Sequence, residues 1–423
     1  MSRIRLGFIG CGGMGHRHLF GLAELHRAGL CPFDPVAVCD PREENAVSLA
    51  SHVENHFGVR PLVARNPEEM AKAELQAVDI CTDPRHHHTM AVEAMERGWD
   101  VMTEKPMGLT VRACRIMSET ARRTGRLLSV AENYRRDPVN RLAKALLDTG
   151  VIGSPRSMIH SSAGGGNRML ISVWRHQKNA SGILLDVGVH YSDILEYFLG
   201  PVVSVYAQTR LHEKIRYNPA SGKDPDTLPK NSPAGVYEKW QTQMPAEFAA
   251  TAEDAAHAVL VFASGAVCQY LEDHAAHGRG FWHRAIYGSA GSLDLPGDRS
   301  GNPITLTLSD GTVHDGASLL DFVPSFRLDD ATSVLFAGDR LWRYAFPFPE
   351  TDRKIIAIEY ADFGQAIRDG RPPEVDAEAG TRSVAVSYGM LESGYAGHVV
   401  SVEEVITDRT NAYQSEINES LGL

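Results

Sequence analysis

Cysteine is scarce in this chain of 423 residues: Cys11, Cys31, Cys39, Cys81, Cys114 and Cys268 are the whole set, and no two are spaced C-x-x-C. That excludes a zinc ribbon, a redox pair and a disulfide-built scaffold, and it reads as reduced, structural thiols. No uninterrupted apolar stretch approaches the roughly 20 residues that span a bilayer. The opening MSRIRLGFIGCGGMG lacks a separate apolar signal region and cleavage site, so a cytoplasmic protein without membrane contact is expected. Positive charge is also short, with 42 Lys and Arg against 53 Asp and Glu, a net charge of -11. A global drive toward nucleic acid or anionic lipid is therefore missing. There is no G-x-S-x-G elbow for a serine hydrolase, no internal repeat and no low-complexity tract.

What is present is enough apolar mass, 43% of residues with 22% charged, for large cores, and a length that calls for more than one lobe. The first third alternates strand-like runs (4–9, 36–39, 78–82, 100–103, 127–131) with helical stretches (14–27, 43–57, 86–97, 110–124), the pattern of βαβ units and a doubly wound parallel sheet. A helix over 139–147, stopped by Gly150, carries the chain onward. Later runs at 257–262, 266–271, 282–287 and 304–308, joined by Gly-containing turns, predict a mainly antiparallel sheet, with helices near 352–369 and 377–396 against it. The expected fold class is thus α/β plus α+β: a Rossmann domain over 1–135, then an α+β domain over 136–423 for substrate binding and oligomerisation, its closing helices partly packed back on the first. The polar, Pro-rich segment 212–243 reads as an insertion, either a flexible excursion or a functional lid or arm.

Gly10-Cys11-Gly12-Gly13-Met14-Gly15 fits G-x-G-x-x-G between a strand and a helix. The first glycine permits the tight turn, the second lets backbone amides approach a pyrophosphate, and the third allows close helix–strand packing. The following strand ends at Asp40, 25 residues beyond Gly15. A carboxylate there accepts from ribose hydroxyls and repels the additional phosphate of NADP, which points to NAD over NADP. Arg42 can stack on adenine or meet a 2′-phosphate.

Glu104-Lys105-Pro106 ends a strand of the same sheet, where ligands of open α/β sheets bind. It reads either as a surface ion pair or as an ammonium aimed at a reacting oxygen. In the apolar run 183–199, closed by Gly200 and Pro201, Asp186, His190 and Asp193 sit at i, i+4 and i+7. On one helix they would share a face, and an imidazole with an ordinary pKa of about 6.5 can take a hydroxyl proton there. The histidines of 86–88, and His274, His277 and His283, lack a ligand set at familiar metal spacing, so no metal is expected.

Taken together and in order, the glycine turn, Thr82 to His88, Glu104-Lys105-Pro106 and Asp186-Val187-Gly188-Val189-His190-Tyr191-Ser192-Asp193 resemble the Gfo/Idh/MocA family, named for glucose-fructose oxidoreductase, inositol dehydrogenase and a rhizopine-catabolism protein. One departure is Asp83, inserted between Thr82 and Pro84. The resemblance covers nearly the whole chain. It implies an NAD-dependent dehydrogenase that removes hydride from a secondary hydroxyl of a sugar, glycoside or cyclitol. It further implies His190 as general base, Lys105 as the group polarising the reacting oxygen, and Asp186 as a substrate ligand or orienter of His190, with Asp193 behind the imidazole. Thr82, Pro84, His88, Glu104 and Asn133 are implied cofactor contacts; Tyr134, Trp174 and Arg175 are implied substrate contacts. Family members commonly pair through the second sheet, implying a homodimer or homotetramer. Two other activities occur on this fold. One is redox-neutral glycoside cleavage by oxidation, elimination, water addition and re-reduction, with Tyr134 or the insertion supplying a further base. The other is non-catalytic NAD sensing.

Overall fold

The computed structural model describes residues 3–229 and 236–423. Six parallel strands form the first sheet: β1 (Ile4–Ile9), β2 (Phe33–Cys39), β3 (Leu62–Ala64), β4 (Ala77–Ile80), β5 (Asp100–Glu104) and β6 (Leu128–Ala131), in the order β3-β2-β1-β4-β5-β6. Their side chains are buried almost throughout, as strands covered by helices on both faces require. The intervening helices begin and end where local chemistry places them. The Asp83 and Thr110 side chains accept from Arg85 N and Ala113 N at the starts of helices Pro84–Glu96 and Val111–Thr124, and Gly58 and Gly125 stop two helices in the left-handed conformation. Gly10 has φ +92, and a Cβ on Gly15 would lie 2.3 Å from the Gly10 carbonyl oxygen, so turn and helix meet at a distance only glycine allows.

The second sheet has nine strands: β7 (Pro155–Gly165), β8 (Val202–Arg210), β11 (Ala255–Phe262), β12 (Val267–Ala276), β13 (Phe281–Gly288), β14 (Gly291–Leu295), β15 (Thr305–Leu308), β16 (Val313–His314) and β17 (Val400–Ser401). Between β8 and β11, the short strands β9 (Ile215–Tyr217) and β10 (Glu247–Ala249) form a separate antiparallel pair. The nine run β16-β15-β14-β13-β7-β12-β11-β8-β17, antiparallel except for β7 beside β12. Helices Gly188–Leu199 and Ala377–Ala396 pack against each other, and the latter covers β8.

Two connections fix the lobes against each other. Helix Phe348–Asp369 lies on the first helix of the glycine turn, with Ile356 against Gly21, Phe363 stacked on Phe33 at 5.7 Å, and the Tyr360 hydroxyl donating to buried Asp79. Val130 N donates to Val375 O at 2.9 Å, tying β6 to the segment that enters helix Ala377–Ala396. The carboxyl ends of β1, β4, β5 and β6 thereby face the segment around residues 170–190.

One expectation is corrected here. The apolar run 183–199 is not one helix: it forms Ile183–Asp186 and Gly188–Leu199, separated at Val187. Val187 itself keeps right-handed helical dihedrals (φ -91, ψ -41), so Asp186 and His190 still open on one cavity, but they take different partners. Of the insertion 212–243, residues 230–235 lie outside the described residues. The rest contributes β9 and helix Val236–Gln243, which returns to the glycine turn.

Candidate active site

Two cavities meet along the carboxyl edge of the first sheet. The larger, about 850 Å³, is lined by Gly10, Gly12, Gly13, Met14, Asp40 and Arg42, with Trp240 opposite them. Gly12 stands at the cap of helix Gly13–Arg27, which has no side-chain cap and no acidic residue in its first turn. An uncapped amide end at a glycine turn is suited to a pyrophosphate. The Asp40 carboxylate accepts from Cys11 N at 2.9 Å and Arg42 N at 2.9 Å, which fixes it at the cavity wall beside the turn. These residues fit a dinucleotide. Arg42 lies over the Trp240 ring at 4.6 Å, and the Tyr237 ring lies against Gly13 with its hydroxyl on Met14 Sδ. Helix Val236–Gln243 thus roofs the turn.

The second cavity, about 390 Å³, shares Met14, Thr82, Trp174, Arg175 and Tyr237 with the first and adds Pro84, Glu104, Lys105, Asn133, Tyr134, Asp186 and His190. Every candidate catalytic residue therefore opens on one space next to the glycine turn. Lys105 Nζ donates to Asp186 O at 2.8 Å and Asp186 Oδ1 at 3.1 Å, and Arg175 Nη1 donates to Asp186 Oδ2. Burial alone would raise the Asp186 carboxyl; the Arg175 and Lys105 charges outweigh it and hold it below its ordinary value. The Arg175 guanidinium also stacks at 5.0 Å over Trp174.

His190 is held differently from expectation. Its Nδ1 lies 2.8 and 2.7 Å from the two carboxylate oxygens of Glu132, and its ring stacks on Tyr134 at 4.4 Å and 8°. Asp186, committed to two cations, does not orient it. Asp193 does not back the imidazole either: it accepts from Arg135 Nε at 2.7 Å and Nη2 at 2.5 Å. Each carboxylate is taken by a cation from another segment, Asp186 by Lys105 and Arg175 and Asp193 by Arg135. Burial, then the positive charges of Lys105 and Arg299, lower the His190 pKa well below its usual value. Tyr134, sandwiched between His190 and Arg299 (5.2 Å), has its phenol pushed up to about 12 chiefly by burial, which makes it a poor base.

His88 lines neither cavity; it is buried in helix Pro84–Glu96, and its neighbour His87 takes the wall position, bonded to Pro106 O at 2.8 Å and Thr82 O at 3.1 Å. One residue, about 100° of helix rotation, separates the cavity-facing side chain from the packed one. Gly15 likewise packs beneath the turn without lining a cavity. Asn133 reaches the second cavity, and its buried Oδ1 has no hydrogen-bond partner among the described residues, so it can accept from a cofactor donor there. Glu104 is linked backward to His18 Nε2 at 3.2 Å, and His18 Nδ1 to Asp79 at 2.9 Å. Burial works to raise Glu104, but the His18 bond and the Lys105 charge bring it down to about 2. His18, Asp79 and Cys81 also place potential metal-ligand atoms within 4.8 Å of one another.

The sequence reading places Glu132 in a cleft-lining segment, 132–136, at the carboxyl end of the sixth strand but gives it no role beside His190, and it does not single out Arg299, Tyr237 or Trp240.

Comparison with known proteins agrees with this geometry. Residues 4–132 match the oxidoreductase family with NAD-binding Rossmann fold, GFO_IDH_MocA, and residues 140–294 match the GFO/IDH/MocA C-terminal domain. The levoglucosan dehydrogenase of Pseudarthrobacter phenanthrenivorans is 25% identical over 421 residues, 96% of this chain and 100% of that protein. The myo-inositol 2-dehydrogenase of Thermotoga maritima is 23% identical over 404 residues, 95% and 100% respectively. A solved levoglucosan dehydrogenase in complex with NADH and L-sorbose superposes with a TM-score of 0.73 at 21% identity, over 95% of this chain and 100% of that one. With both lobes matched and the glycine turn, Lys105 and His190 gathered at one cleft, this chain belongs to the Gfo/Idh/MocA family of NAD-binding oxidoreductases.

Proposed function

We propose that the protein is a dehydrogenase that oxidises a secondary hydroxyl of a sugar, glycoside or cyclitol with NAD. The observation that carries this reading is the convergence of Lys105, Asp186 and His190 on a cavity that abuts the glycine turn and shares its wall. The relatives include a levoglucosan dehydrogenase and a myo-inositol 2-dehydrogenase, which supports the substrate class. When bound, the nicotinamide accepts the carbinol hydride. The chain's own groups do the rest. Lys105, aimed by Asp186, donates to the hydroxyl oxygen as negative charge builds on it, and His190 removes the proton. Trp174 and Arg175 offer a flat apolar surface with adjacent donors, suited to a polyhydroxylated ring. Glu104 and Asn133 line the same cavity on the cofactor side, and Asp40 and Arg42 hold the adenosine half, with helix Val236–Gln243 as roof.

We assign copy-to-copy pairing to the outer face of the second sheet, where Tyr206, Phe281 and Tyr287 are exposed beside half-buried Ile159, Val259 and Val267. Light scattering of the purified chain reads this directly. Six buried free cysteines support a reducing, cytoplasmic setting.

The test is incubation with NAD and a panel of cyclitols, free sugars and aryl or alkyl glycosides, following NADH and aglycone together. NADH rising in step with substrate loss is expected. Aglycone release without NADH would replace the proposal with redox-neutral glycoside cleavage. Lys105→Ala and His190→Ala should each bind NAD normally and lose turnover by at least about 100-fold; full activity in either removes that residue from the mechanism.

A further inference from the structure

Glu132 is fully enclosed at the end of β6, 58 residues from His190 in the chain, yet both of its carboxylate oxygens lie on His190 Nδ1. Its other contact is the Tyr134 N–H, which donates to Oε1 at 3.0 Å. Tyr134 then stacks its ring on the imidazole, so a single short segment, 132–134, grips His190 by its inner nitrogen and by its face. With Nδ1 taken, Nε2 is the nitrogen left to the cavity.

We propose that Glu132 is the positioning residue of the general base: it holds the proton on Nδ1, so that Nε2 presents its lone pair to the substrate hydroxyl, and it receives that Nδ1 proton as Nε2 takes the hydroxyl proton. The inference rests on the dehydrogenase reading above. The step balances. The carbinol C–H leaves as hydride to NAD, which is reduced to NADH, while the O–H proton goes to Nε2 and the C–O bond becomes a carbonyl. The Nδ1 proton moves to the Glu132 carboxylate, leaving a carboxylic acid beside a neutral imidazole that carries its proton on Nε2. In that state His190 is a hydrogen-bond donor to the new carbonyl, which is the form needed for the reverse reduction. The pair stores one proton without creating a buried net charge, and carbonyl reduction draws on it.

The surrounding charges suit a pair that exchanges one proton. Lys105 and Glu104, at the end of β5, act on both members with opposite signs. Arg299 and Asp186 face His190; Arg135, which is itself paired with Asp193, faces Glu132. Helix Phe348–Asp369 brings Glu359, a fully buried carboxyl whose oxygens have no hydrogen-bond partner among the described residues. Burial, opposed by the Tyr134 N–H and the Lys105 charge, lifts Glu132 to about 7, while burial lowers His190, so neither member favours ionisation alone.

The test compares wild type with Glu132→Gln. Gln can accept the Nδ1 hydrogen bond but cannot take the proton or offset an imidazolium. We expect kcat to fall on the order of 100-fold, with the Kd for NAD and the KM for substrate within threefold of wild type. Loss of the carboxylate charge also makes protonation of His190 harder, so the acid limb of the kcat/KM profile should move at least one pH unit lower. An unmoved limb with full kcat overturns the proposal. Independently of turnover, 15N NMR of wild type above the acid limb should show His190 protonated on Nδ1; protonation on Nε2 there would also overturn it, even if Glu132→Gln failed to fold. An active wild type, an inactive His190→Ala and an unaffected Glu132→Gln would sink this inference alone, whereas a wild type silent on the whole panel would sink the dehydrogenase reading.

Discussion

Asp186→Asn tests whether the centre of the site is an electrostatic clamp. The Asp186 side chain is 2% exposed and sits between Lys105 and Arg175, whose side chains are 11% and 9% exposed. At the 3.1 Å separation of the Lys105 pair and an effective dielectric of about 20, the Coulomb attraction is roughly 5 kcal/mol. Desolvation of the three groups offsets much of it, but removing one partner strands the others, which costs about 3 to 5 kcal/mol in buried pairs. Asparagine keeps one acceptor, so a loss near 3 kcal/mol is expected, read as a shift of the urea midpoint at pH 7 without cofactor. Adding Arg175→Met should recover at least about 1 kcal/mol of that loss, because one stranded cation disappears with it. The pH dependence follows from the lowered Asp186 pKa. A carboxyl held below its unfolded value of about 3.9 contributes its full stability above that pH and loses it as the pH falls through the folded value. The gap between wild type and Asp186→Asn should therefore be constant near neutrality and narrow below about pH 4. A loss under about 1 kcal/mol, or a gap that widens in acid, would refute the clamp.

Two further outcomes follow from other parts of the structure. Glu359, pushed up to about 8 mainly by burial, binds a proton in the folded state that an unfolded carboxyl has released above about pH 4.3, so it destabilises the fold increasingly as pH rises between those values. Glu359→Gln should raise the unfolding free energy by up to about 4 kcal/mol more at pH 8 than at pH 4.5; an equal effect at both would contradict the buried-carboxyl reading. At the roof of the larger cavity, Trp240→Ala removes the ring beneath Arg42, worth about 1 kcal/mol as a cation–π contact plus its apolar area. The Kd for NAD, followed by fluorescence titration, should weaken by about five- to tenfold, and a change under twofold would take helix Val236–Gln243 out of the cofactor site.

The first sheet was legible because its signals are local. Buried parallel strands read as short apolar runs, glycine marks the phosphate turn, and Asp40 and Glu104-Lys105-Pro106 stand at strand ends whose direction is known once the βαβ order is known. Strand β3, only Leu62–Ala64 with Leu62 exposed, has no such run and was missed. Strand β7 was missed for another reason. It is central to the second sheet, but its sequence PRSMIHSSAGG is polar, and its burial comes from neighbours on both sides rather than from apolar side chains. Trp174 and Arg175 reached the cleft as expected, because a short 3-10 helix, Val173–His176, presents them to it.

The partners of His190 show where periodicity stops being informative. Spacing along one element says which residues share a face, and Asp186 and His190 do open on one cavity, but it does not say which groups from other elements they will meet. Each acid takes a strong cation from another element: Asp186 takes Lys105 from the end of β5 and Arg175, and Asp193 takes Arg135. Those cations outcompete a neutral imidazole, because a guanidinium or ammonium holds a buried carboxylate by charge as well as by hydrogen bonding. His190 is left to the remaining carboxylate within reach, that of Glu132, which among the described residues is bonded to no Lys or Arg side chain and otherwise accepts only the Tyr134 backbone N–H. The pairing is thus decided by competition among buried charges from four separate segments. A carboxylate spared by the stronger cations keeps an affinity for a proton high enough to exchange it with a histidine.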